Sequence, residues 1–150
     1  MIEEKYSKLK AKYNLPDFKE INDFFEISTI EKDDFLLREI RRKIADKVSL
    51  FAGILGGVVS TEPTPASMIE FGNIEESDAK RAFEIYKKLM YWERYSAEIG
   101  AIGDEKNDAK FIKEFYEEWK TLRNDVAELI GKLKEAWKKG TKGMEEGYFL

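Results

Sequence analysis

Two charged residues stand where apolar ones would be expected. Glu93 falls on the apolar side of a helical pattern, with Leu89 and Ala97 one turn away on either side, and Lys47 lies on the bulky face of the stretch 34–60, close to Phe51. Either head group can snorkel to the surface, Lys47 above all; if both are removed from water they need compensation, and Lys47 and Glu93 are then the expected partners of a buried ion pair. On the same stretch Arg38, Arg41 and Arg42 form a cationic cluster suited to an anion or an acidic partner, because a guanidinium matches carboxylate and phosphate oxygens two at a time.

Most other chemistry is excluded by residue type. The chain has no His and no Cys, which removes the commonest general base, thiol nucleophiles, Ser-His-Asp arrangements and conventional zinc sites. Neither GxGxxG nor GxxxxGK[ST] occurs, and residues 104–108 lack the alternating acids and glycine of a calcium loop. The carboxylate pairs Glu75–Glu76, Asp33–Asp34 and Glu117–Glu118 are adjacent residues that diverge by about 100° on a helix, and the first two suit helix N-termini. No catalytic residue, cofactor site or metal site is therefore assigned.

One short segment carries a resemblance. RRKIADKV, residues 41–48, looks like the first helix of the all-helical chorismate mutases, which work on a dianion by electrostatics without histidine or cysteine. The resemblance implies a histidine-free enzyme or small-anion binder using the Arg/Lys cluster. The chain departs from the family in lacking its lysine farther along, and Arg42 projects about 140° away from Lys47 around the helix.

The elements that position these groups are helices. In residues 34–60, Leu37, Ile40, Ile44, Val48, Phe51, Leu55 and Val58 share one broad face, while Ala45, Ser49, Ala52, Gly53 and Gly56 line the opposite one. Bulky residues fill a core, and a row of small ones lets a second backbone approach closely. This helix is expected at the centre of an irregular all-α bundle, its small-residue face serving as a close-packing seam or a homodimer face. Its uncharged run, Val48 to Thr61, would be about 21 Å long, short of the roughly 30 Å of a bilayer core, so no membrane span is expected.

Before it, Ile2, Tyr6, Leu9 and Tyr13 give a short amphipathic helix ended at Pro16, and Asp17 is placed to cap a second one carrying Phe18, Ile21 and Phe25. After it, Thr64-Pro65 starts a brief helix that stops at Gly72. Residues 74–99 then place Ala82, Ile85, Leu89, Trp92, Ser96 and Ile99 on one stripe, ended by Gly100 and Gly103. Residues 105–139 place Phe115, Trp119, Leu122, Val126, Leu129, Leu133 and Ala136 on a heptad seam, making an antiparallel hairpin with the preceding helix. The resulting expectation is one domain, 1–139, with a flexible tail at 140–150.

Of the 150 residues, 37% are charged and the net charge is -4. With Gln absent and Lys far outnumbering Arg, the pattern is that of a heat-adapted protein. The acidic balance argues against nucleic acid as a partner, although Lys132, Lys134, Lys138 and Lys139 cluster near the end. MIEEKYSKLK has early acids and no apolar core, unlike a secretory signal, and a cytoplasmic location is expected. The expected role is protein–protein interaction or scaffolding, with another protein or a second copy as partner, the alternative being the small-anion binder or histidine-free enzyme of the Arg/Lys cluster.

Overall fold

Six α-helices dominate the computed structural model, which describes residues 1–60, 62 and 64–139. They are α1 (Ile2–Tyr13), α2 (Phe18–Phe25), α3 (Leu36–Leu55), α4 (Pro65–Phe71), α5 (Glu76–Ile102) and α6 (Glu105–Lys139), with no strand among the described residues. The protein is an all-α helical bundle. Its residues group into two compact units, one of Met1–Ser49 with Met90–Thr121 and one of Leu50–Leu89 with 122–139, so α3, α5 and α6 each contribute to both. The expected tail at 140–150 lies outside the described residues, as do Thr61 and Pro63.

The apolar face of α3 is buried at Leu36, Leu37, Ile40, Ile44, Val48, Ala52 and Leu55, the i, i+3, i+4, i+7 spacing of a helix against a core. The α-helix stops five residues earlier than its apolar pattern suggests. Adjacent Gly56 and Gly57 are weak helix formers, and the chain tightens there into a 3-10 turn, Gly56–Val59. The small-residue face is not one continuous seam within the chain. Ala52 is buried and a Cβ at Gly56 would lie 3.3 Å from the Tyr86 ring, but Ala45 is half-buried, Ser49 is exposed and Gly53 has open space where a side chain would stand.

On α5 the whole stripe Ala82, Ile85, Leu89, Trp92, Ser96 and Ile99 is buried. The helix runs through Gly100, because a lone glycine costs only about 1 kcal/mol, and ends where Gly103 takes a left-handed φ of 77°. Asp104 then caps α6, its carboxylate accepting from the Asn107 backbone N–H at 2.7 Å. The α6 seam is buried from Phe115 through Leu133, and only Ala136 is left half-covered.

The first unit is built on rings. Phe111 and Phe115 stack with centroids 6.0 Å apart, Phe115 stacks on Trp119 at 5.6 Å, and Trp92 meets both Phe111 and Phe115 edge-on. Phe25 of α2 packs against Phe115 and Trp119, which closes that side. Tyr6 of α1 is fully buried, and its hydroxyl donates to the Pro16 carbonyl at 2.6 Å. Asp17 starts α2 without a side-chain cap, since its carboxylate binds Lys10 instead.

The second unit relies on surface charge. Arg81 of α5 donates to both oxygens of Glu128 and to Asp125 on α6, and Lys132 of α6 reaches Asp78 of α5 at 2.8 Å. Glu128 at 81 and Lys132 at 78 run in opposite order along the two helices, an antiparallel pairing. Thr64 and Ser67 form a reciprocal cap at the start of α4, with Pro65 at the first helical position.

Candidate functional site

Arg41 sits on the buried side of α3, one turn after Leu37 and one before Ile44. Its Nε donates to Asp108 Oδ1 at 2.7 Å, and its Nη1 donates to the Ser96 carbonyl at 2.9 Å and the Ser96 hydroxyl at 2.7 Å. Both charged side chains are under 10% exposed, so this is the buried ion pair of the first unit. Burial pushes the Asp108 carboxyl up, the Arg41 guanidinium pulls it down, and burial prevails. Gly100 of α5 lies against the same guanidinium, where an added Cβ would be 3.6 Å from Nη2.

The pair expected between Lys47 and Glu93 does not form. Both residues are half-buried, Lys47 Nζ donates to the Phe24 carbonyl, and Glu93 accepts from neighbouring Arg94 at 3.0 Å. A long lysine stem lets the ammonium reach a helix-end carbonyl without another charge, and Glu93 lies far enough to the edge of the stripe to find Arg94. The true pair had a sequence signal. Counting back seven from Phe115 along Phe115, Leu122, Leu129 and Ala136 gives Asp108, and Leu37, Arg41, Ile44 and Val48 follow one helical face.

The structure does bring Arg38, Arg41 and Arg42 together. They line a cavity of about 160 Å³ with Phe35, Gly100 and Asp108. The Arg38 guanidinium lies 4.3 Å from the centre of the Phe35 ring, which is itself 60% exposed. Arg42 donates to Glu39 at 3.0 Å. Arg38 Nε is buried with no hydrogen-bond partner among the described residues, Glu39 Oε1 being 3.8 Å away. Lys47, anchored on Phe24, does not line this cavity, so the cluster is one of arginines only.

A second feature lies in the second unit, where α4, the start of α5 and the end of α6 enclose a groove of about 710 Å³. Ile69, Ile74, Leu133 and Ala136 supply apolar surface, while Glu70, Glu75, Asp78, Glu128 and Glu135 outnumber Lys132 and Lys139. Trp137 of α6 donates its ring N–H to Glu70 of α4 at 3.1 Å, which ties the two walls together. Gly131 lines the groove with nothing within 4 Å of where its Cβ would be. The groove is not legible in the sequence because its walls come from three separate segments.

Among the described residues, no three carboxylates come together as a metal site, and no helix is long and apolar enough to cross a membrane. No protein-family model, curated protein or solved structure matches the chain.

Proposed function

We propose that the protein is an interaction module whose second unit binds a basic, amphipathic helical segment of a partner protein. The observation that carries this reading is the groove lined by Ile69, Ile74, Leu133 and Ala136 and edged by carboxylates. Its volume is within the range that accepts side chains of a bound ligand, and apolar anchors on one face of a helix are the usual occupants of such a groove. The charge of the edge selects the partner. Asp78 is held by Lys132, Glu128 by Arg81, and Glu135 lies 3.6 Å from Lys134, which leaves the carboxylates of Glu70 and Glu75 to meet cations of the incoming segment. The absence of His and Cys favours binding over catalysis.

The test uses a labelled peptide of leucine and lysine in helical register, followed by fluorescence anisotropy against the full chain. Binding is expected with the Leu/Lys peptide and not with a Leu/Glu peptide of the same pattern, and it should weaken with salt. Gly131→Phe starts from a Cβ with nothing within 4 Å and directs a ring at the groove, so it should abolish binding while leaving the melting midpoint unchanged or raised. Equal binding of both peptides, or unchanged affinity in Gly131→Phe, rejects the proposal.

A further inference from the structure

We infer that the arginine cavity of the first unit is a binding site for a small monocarboxylate. Three features define it: an unmatched donor, an excess of one positive charge and a size limit. Arg38 Nε is buried with no hydrogen-bond partner among the described residues, a state that an incoming oxygen would relieve. The guanidinium is already held in place over the Phe35 ring at 4.3 Å, so little freedom remains to be lost on binding.

The charges that line the cavity pair off as follows. Arg41 is matched by Asp108 and Arg42 by Glu39, while Glu105 accepts from the Tyr13 hydroxyl at 2.7 Å and lies 3.7 Å from Lys12. Arg38 and Arg42 share the one carboxylate of Glu39, at 3.8 and 3.0 Å, so these three arginines face two partner carboxylates and one positive charge is in excess. One positive charge selects one negative charge. A carboxylate fits better than a dianionic phosphate, and its two coplanar oxygens match the edge of a guanidinium.

Size and lining set the rest of the ligand. At about 160 Å³ the cavity is close to one known to admit benzene, so an acid no larger than about benzoate fits. Phe35 and Leu37 offer apolar surface for its body, and Gly100 and Gly103 present backbone without side chains. The same chemistry is available from a free acid or from a carboxylate side chain of a partner protein. Free acids bind without a partner, whereas a partner's carboxylate requires apolar surface outside the cavity, such as exposed Ile102.

Calorimetric titration of the full chain with acetate, isobutyrate, benzoate and inorganic phosphate tests the inference. At least one free carboxylate should bind with a dissociation constant in the millimolar range or tighter, and phosphate more weakly. In the unmutated protein, backbone amide shifts of Gly100 and Gly103 should move on titration, which locates the ligand without a substitution. Arg38→Gln should weaken binding about tenfold or more, and Arg38→Lys should not restore it, since an ammonium lacks the planar fork.

Phosphate binding tighter than every carboxylate, amide shifts elsewhere in the chain, or equal affinity in Arg38→Gln would each overturn the proposal. So would the absence of binding by all three acids, which excludes the free acid; capture of a glutamate-bearing peptide, with shifts at Gly100 and Gly103, would then assign the site to a partner's carboxylate. Failure of that peptide as well rejects the carboxylate site altogether.

Discussion

An ion pair is buried in the first unit, whereas the ion pairs of the second lie at its surface. In the first, the rings of Trp92, Tyr95, Phe111, Phe115 and Trp119 form a connected cluster, and a charge pair is buried. In the second, the ion pairs of Arg81 and Lys132 stand on the outside. A single buried substitution should therefore cost much more in the first unit than the loss of a surface bridge does in the second.

The largest effect is expected at Asp108. Asp108→Ala leaves Arg41 enclosed without its counter-charge, which should cost roughly 3 to 5 kcal/mol in a denaturant melt. Replacing both partners, as in Arg41→Met with Asp108→Leu, should recover most of that loss, because an enclosed ion pair contributes little beyond an apolar pair of similar volume. A double variant no more stable than Asp108→Ala would show that Ser96 and Gly100 require the guanidinium itself.

Glycines separate the regions at a second level. A Cβ at Gly57 would stand 2.6 Å from the Phe71 ring, and at Gly56 it would stand 3.3 Å from Tyr86, so Gly57→Leu and Gly56→Leu should each destabilise by roughly 1 to 3 kcal/mol through overpacking. Gly53→Ala meets nothing and should stabilise α3 by up to about 1 kcal/mol. Thermal melts that placed the three variants together would mean the small-residue face acts as one surface, as a dimer seam requires; light scattering of Gly53→Ala checks that directly.

These positions also show what was legible. The stripes of α5 and α6 could be read because period and burial coincide at every position from Ala82 to Ile99 and from Phe115 to Leu133. The end of α3 could not, since Val58 and Val59 continue the apolar pattern after two glycines have changed the turn. Arg41 and Asp108 lie in register with apolar neighbours, and nothing local distinguishes an enclosed pair from two charges that reach solvent, as Lys47 and Glu93 show from the opposite side. The cavity was half legible: its arginines are close in sequence, but Gly100 comes from the end of α5, Gly103 from the turn after it and Asp108 from the start of α6.

Tyrosines give a smaller effect with a defined sign. Burial first, then Glu114, pushes the Tyr95 hydroxyl up to about 12, and burial first, with nearby acids, raises Tyr6 further. A raised folded pKa contributes stability that is complete below the unfolded value of 10 and is lost as pH rises through the folded one. The protein should accordingly unfold in alkali above pH 10, with tyrosinate absorbance appearing together with loss of helix. Tyr6→Phe should cost about 1 kcal/mol at neutral pH through the Pro16 carbonyl it leaves unpaired, and should make the alkaline loss shallower.

The smallest effect, and the sharpest contrast between the units, is expected in acid. Arg81 holds the Glu128 carboxyl below its usual range, whereas burial holds Asp108 above its own. The Glu128 contribution is present above the unfolded value of 4.5 and is lost as pH falls through the lowered folded one. The Asp108 contribution runs the other way, complete below 3.8 and lost as pH rises through the raised folded value. Acidification should therefore weaken the α5–α6 surface bridge while relieving the enclosed carboxylate. Carboxyl carbon shifts followed by NMR titration should place the Asp108 midpoint above 3.8 and the Glu128 midpoint below 4.5. Arg81→Ala should return Glu128 toward 4.5 and leave the Asp108 midpoint in place, with a change in melting midpoint smaller than any of the foregoing, as befits an exposed bridge. If Arg81→Ala moved both midpoints together, the two units would have to respond as one electrostatic body, and the contrast drawn between enclosed and surface charge would fail.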